Sequence, residues 1–210
     1  MLLKSTKILT LALITTLFTT TSGQAQGGEA AFVKGSKTIA VSLGFGVDYG
    51  YGTFYGGKYV NLPAVAVTYD QGVFENVGPG TIGIGGVVGF KNSYYRYNVD
   101  RDKNGNIINE SYKDNYSNFI IGLRGTYHLT LLKDKNNKFD PYAGITVGVR
   151  IFNHKYNNPY YNNAFDNYNN VNPIAGAFIG AKYNFTKGFG AFAEVGYDIS
   201  LLRIGLNFNF

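Results

Sequence analysis

Leu202-Arg203-Ile204-Gly205-Leu206-Asn207-Phe208-Asn209-Phe210 is the stretch whose reading decides the fold. Leu202, Ile204, Leu206, Phe208 and Phe210 share one face of an extended strand, and Arg203, Gly205, Asn207 and Asn209 share the other. Chain ends usually fray into polar residues, so a strand that stays apolar to its last residue is expected to be tied into a sheet. In a bilayer every backbone polar group must be satisfied internally, which strands achieve only as a closed barrel. Recurrence of the pattern would therefore predict a barrel with a lipid-facing exterior.

Seven further segments repeat it: 38–47, 64–71, 81–90, 118–129, 142–151, 174–185 and 189–198. In the first, Ile39, Val41, Leu43 and Phe45 alternate with Ala40, Ser42 and Gly44. A charge facing lipid at the bilayer midplane costs about 2–4 kcal/mol. All the charges of the eight segments, Asp70, Arg124, Arg150, Lys182, Glu194, Asp198 and Arg203, fall on the opposite, inner face. The expectation is an all-β, eight-stranded antiparallel up-and-down transmembrane β-barrel over residues 38–210. A soluble barrel of the lipocalin type would carry charges outside. An eight-stranded lumen is only wide enough for side chains to fill, so Arg124 and Glu194, both mid-strand, read as a buried ion pair. Arg150, Asp198 and Arg203 are expected at the outer lip, and Asp70 and Lys182 near the periplasmic end. The many inward glycines keep a narrow passive channel as the alternative.

Residues 1–25 read as a cleaved signal peptide: Lys4 and Lys7, an apolar run over 8–21, then the small residues Gly23 and Ala25. That run is too short to span a bilayer as a helix. Residues 26–37 are left as a periplasmic N-terminal segment. Losing Lys4 and Lys7 lowers the formal net charge from +6 to +4, and no basic stripe is present. Together with export this argues against nucleic acid as a partner. There is no cysteine, so disulfides, thiolate metal sites and cysteine nucleophiles are excluded. The 28 glycines and 16% aromatic residues fit small inward positions and aromatic girdles.

Short connections at 72–80, 130–141 and 186–188 alternate with long ones at 48–63, 91–117 and 152–173, while the last outer connection, 199–201, is very short. Outer-membrane barrels keep short turns in the periplasm. Both termini are therefore expected on the periplasmic side, with the long loops outside.

Three stretches, 139–144 (Phe-Asp-Pro-Tyr-Ala-Gly), 192–197 (Phe-Ala-Glu-Val-Gly-Tyr) and 204–210, resemble the small OmpA/OmpX-type outer-membrane barrels of Gram-negative bacteria. The resemblance implies residence in the outer membrane among its lipid and lipopolysaccharide. It also implies that Phe210, with Ile204, Leu206 and Phe208, is a signal read by the barrel-assembly machinery; the other reading is a plain girdle aromatic. A monomer is expected.

Asp100, Asp102 and Asn104, with Gly105 at the sixth position, are spaced like the start of a calcium loop. The final carboxylate fails: Glu110 misses the twelfth position by one and Ser111 occupies it. Asn104-Gly105 is also a strong hairpin-turn signal, so an exposed tip and a weak cation site both remain readings. No cofactor is expected. His128 lies on an inner face and reads as structural, whereas His154 falls in the third outer loop without a neighbouring serine. Most of the 18 tyrosines lie in the long connections, among them Tyr94, Tyr95, Tyr97, Tyr112 and Tyr116. Tyr156, Tyr160, Tyr161 and Tyr168 stand among asparagines in the third. That mixture suits binding surfaces and points to an extracellular glycan or protein ligand; packing in the lipopolysaccharide headgroup zone is the competing account. The expected function is a non-enzymatic scaffold displaying these loops for adhesion or ligand contact, with a passive channel second and a lipid-modifying enzyme third.

Overall fold

The computed structural model describes residues 32–46, 57–99, 110–130, 138–155 and 168–210. Among them are nine strands: β1 (Lys37–Phe45), β2 (Lys58–Asn61), β3 (Ala64–Val77), β4 (Gly80–Val99), β5 (Glu110–Leu129), β6 (Phe139–Lys155), β7 (Tyr168–Asn184), β8 (Phe189–Gly196) and β9 (Leu202–Asn209). Each is antiparallel to its neighbours, and the ring closes because β1 pairs with both β3 and β9 while β4 pairs with β5. β2 and β3 are two parts of one stave, interrupted at Leu62-Pro63. Asn61 pairs with Ser93 but Val65 with Phe90, a slip of one residue in register. Proline has no N–H for a ladder, so it sits where the ladder breaks. Eight staves make the barrel.

Alternation puts the large apolar side chains outside. Val67, Ile84, Leu123, Ile145, Ile179 and Ile204 are all exposed, Leu123 by 69%. The polar side chains point in: Thr38, Asp70, Arg124, Lys182, Glu194, Arg203 and Asn207 are buried. This inverts a soluble barrel, whose charged groups face water. Inward glycines oppose large inward side chains. A Cβ on Gly144 would come within 2.3 Å of the Phe178 ring, and one on Gly205 within 2.7 Å of Phe192. The glycines thus admit rings rather than leaving an open bore.

Several boundaries differ from the sequence reading. Most of the connection 91–117 and both ends of 152–173 are strand, because β4 and β5 run for 20 residues each and β6 and β7 for 17. Apart from Val171, the side chains facing out there are mostly polar or tyrosine, among them Asn92, Tyr94, Asn115, Ser117 and Asn153, so no apolar period marks these stretches as strand. Tyr94, Tyr95, Tyr97, Tyr112 and Tyr116 are thus strand residues, as is His154, and Tyr168 opens β7. β3 continues to Val77, so the first short connection is the turn at Gly78-Pro79. β1 and β9 are only 9 and 8 residues long. One side of the barrel therefore projects well beyond the other.

Candidate functional site

The lumen holds two linked polar clusters. Near the middle, Arg124 on β5 and Glu194 on β8 face each other across the bore, Nη2 to Oε1 at 2.7 Å. Tyr142 of β6 donates its hydroxyl to the same carboxylate at 2.8 Å. Arg203, 1% exposed, pairs with the other Glu194 oxygen and lies 3.7 Å from Asp198. Thr146 donates to Asp198 at 3.1 Å. The Arg124 guanidinium also stacks 4.0 Å from the centre of the Phe178 ring. Glu194 thus holds two guanidinium groups, and charges removed from water in this way persist only when paired.

The second cluster lies toward the end that carries Phe32 and Phe210. His128 Nδ1 is 2.8 Å from Asp140, and Nε2 is 3.1 Å from Asp70. Thr126 donates to Asp70 at 3.0 Å. The Lys182 ammonium sits between the carboxylates, 4.0 Å from Asp70 and 3.9 Å from Asp140. A cavity of about 10 Å³, enough for one water, separates the clusters and is lined by Asp70, Lys182, Arg124, Tyr142 and Glu194.

A buried apolar side chain lies toward each end of the described bore. At the end near Phe210, Phe32 turns inward, 2% exposed, with its ring stacked 3.7 Å from that of His128 and the Lys182 ammonium 4.9 Å from its centre. Backbone bonds hold the segment: Gly35 N donates to Gly72 O and Gly72 N to Ser36 O, both at 2.9 Å. Val33 presses so close that a Cβ on Gly72 would meet its carbonyl oxygen at 2.1 Å. At the other end Ile199, fully buried, caps an apolar cluster of Ala64, Ala66, Val87 and Ile120. Gly89 leaves room for it, since a Cβ there would lie 3.0 Å from Ile199 Cδ1.

The expected interior charges are therefore placed as follows. Asp70, Arg124, Lys182, Glu194, Asp198 and Arg203 are all buried in the bore. Asp198 and Arg203 come together inside it rather than at a lip, 3.7 Å apart, and the neighbouring Ile199 and Ser200 are buried with them. Arg150 stands half-exposed farther along β6. Ile204, Leu206, Phe208 and Phe210 face outward, each more than a third exposed, and Tyr183, Phe185, Phe189 and Phe208 form a chain of ring contacts around that end. His154 is buried on the inner face of β6, stacked 4.2 Å from Tyr116; burial lowers its pKa. Asp100, Asp102, Asn104, Tyr156, Tyr160 and Tyr161 lie outside the described residues, as do residues 1–25, expected to be a signal peptide; Tyr168 is placed by its backbone pairing with His154 alone. Sequence reasoning missed Asp140 and Phe32, which lie in or before segments it left outside the strands.

No family model matches the sequence, and no curated protein does. The solved structures to which the chain is similar include the N-terminal β-barrel domain of Pseudomonas aeruginosa OprF, at 15% identity over 84% of this chain and 98% of that one, with a TM-score of 0.45. They also include Ail, the attachment invasion locus protein of Yersinia pestis, at 10% identity over 85% and 100%, with a TM-score of 0.47. The outer membrane protein Ail in a phospholipid bilayer nanodisc matches at 14% identity over 84% and 100%, with a TM-score of 0.36.

Proposed function

We propose that the chain is a non-conducting outer-membrane scaffold that spans the bilayer as a closed barrel and holds its projecting strands and loops outside the cell. The observation that carries this reading is the inverted distribution of polarity, with exposed apolar side chains all around the ring and charged side chains, among them Asp70, Arg124, Asp140, Lys182, Glu194, Asp198 and Arg203, buried within it. The outward apolar run of β5 extends from Phe119 to Leu129. Ten residue steps of about 3.4 Å, tilted by about 40°, span about 26 Å along the barrel axis, which matches an apolar band about 25 Å tall. The buried ion pairs and the two stoppers support a scaffold over a channel. Phe32 and Phe210 lie at the short-turn end, which is assigned to the periplasm on this reading, with the outward aromatic residues up to Phe210 available to the assembly machinery. An adhesive or ligand-binding role belongs to the opposite end.

Folded protein in detergent should migrate differently from boiled protein on a gel, and in planar bilayers it should give no conductance steps. Identical mobility would overturn the barrel reading; reproducible steps would overturn the closed lumen and favour the channel.

A further inference from the structure

The outer face of the projecting strands carries a run of cations that the lumen chemistry does not use. Phe90, Phe119, Ile151 and Val171 are paired in register across β4, β5, β6 and β7 and form the last apolar rung. The next rung is Asn92, Ser117, Asn153 and Asn169; beyond it come Tyr94, Asn115 and Lys155, and then Arg96 opposite Lys113. β2 adds Lys58 directly opposite Arg96. Lys58, Arg96 and Lys113 thus lie side by side on adjacent strands, roughly 5 Å apart at the backbone, with Lys155 diagonal to them. Like charges directly opposite one another destabilise a sheet. No carboxylate lies on this face among the described residues, since Asp114 is turned inward and buried. Tyr94 gathers part of the charge, with Lys113 Nζ 4.1 Å and Arg96 Cζ 5.9 Å from the centre of its ring. A ring quadrupole does not neutralise four cations.

We infer that Lys58, Arg96, Lys113 and Lys155 form a docking face for the phosphate groups on the sugar headgroup of an outer-leaflet glycolipid. This rests on the membrane reading above. Height selects the ligand. Each rung advances two residues, about 5 Å along the axis after tilt, so Lys155 stands about 10 Å and Arg96 and Lys113 about 15 Å beyond the last apolar rung. A phospholipid headgroup layer is only about 5–8 Å thick, so its phosphate lies below these side chains. A phosphorylated oligosaccharide on a lipid anchor reaches them, and anchoring keeps it beside the barrel wall.

The test uses the full folded chain in detergent micelles, with fluorescently labelled core-bearing lipopolysaccharide as the probe and anisotropy as the readout. The combined variant Lys58→Gln, Arg96→Gln, Lys113→Gln, Lys155→Gln should bind at least about tenfold more weakly, consistent with the contribution of each cation near an anionic surface. Lys34→Gln with Lys37→Gln, at the opposite end, should bind like the parent. Enzymatically dephosphorylated lipopolysaccharide should lose affinity for the parent and not for the variant. Equal binding by parent and variant would overturn the proposal, as would equally tight binding of phosphatidylglycerol. Displacement by inorganic phosphate at the probe's own concentration would assign the face to free phosphate instead. The gel shift of folded protein, run on every variant, reports separately on the barrel, so a failure of the membrane reading is distinguishable from a failure of this face.

Discussion

Glu194 carries more of the lumen than any other side chain, because both Arg124 and Arg203 depend on it. Glu194→Ala should leave two buried guanidinium groups without their main partner. Removing one side of a buried pair typically costs about 3–5 kcal/mol, so urea unfolding in lipid vesicles should show at least that loss, while Glu194→Gln, which keeps the shape, should lose less. His154 lies above the apolar band, and burial against Tyr116 holds its pKa below the ordinary value. Its neutral form is therefore the one that fits. In the unfolded chain it binds a proton near pH 6.5, so the stability it contributes is present above that pH and is lost as pH falls below it. Protection factors for amide exchange along 112–118 and 150–155, corrected for the intrinsic pH dependence of exchange, should fall between pH 7 and pH 5, and His154→Phe should remove that fall.

At the scale of elements, β4 and β5 divide at the Phe90–Phe119 pair: beneath it the outer face is apolar, above it polar. The spanning part does not need the projecting part. Replacing 93–116 by an Asn-Gly turn, which joins Asn92 to Ser117 across a two-residue hairpin, should keep the gel shift of a closed barrel while removing the partner of β2. Loss of the shift would show that the projection nucleates the barrel. The same division explains what was legible. The spanning segments alternate apolar with small or polar residues and are read from the sequence within a few residues. Their extensions alternate Tyr, Asn, Lys and Ser with one another, which carries no period in hydrophobicity, and so they look like loops.

For the whole molecule, closure of the bore depends on contacts far apart in sequence. Phe32 reaches His128, and Gly72 accommodates Val33. Gly72→Ala would force a Cβ into the Val33 carbonyl and should release the 32–36 segment. Protease should then cleave near Phe32 faster than in the parent. Phe32→Ala should open the terminal end but leave the bilayer silent, because Ile199 still blocks the other end; conductance in Phe32→Ala alone would mean that the Ile199 stopper is not tight.

By itself the sequence determined the closed ring, its eight staves and the inward placement of charge, because period-two patterning is local and a single misplaced charge on the lipid side is costly. The mid-bore pairing of Arg124 with Glu194 also follows from it, since both lie near the middle of their strands. Only the tertiary structure decided that Arg203 and Asp198 come together inside the bore, that His128 is held between Asp70 and Asp140, and that Phe32 stops the bore. It also decided that cations on β2, β4, β5 and β6 share one patch. Those arrangements depend on strand register and on how two chain segments bend into the lumen, and neither is written in the alternation of any one strand.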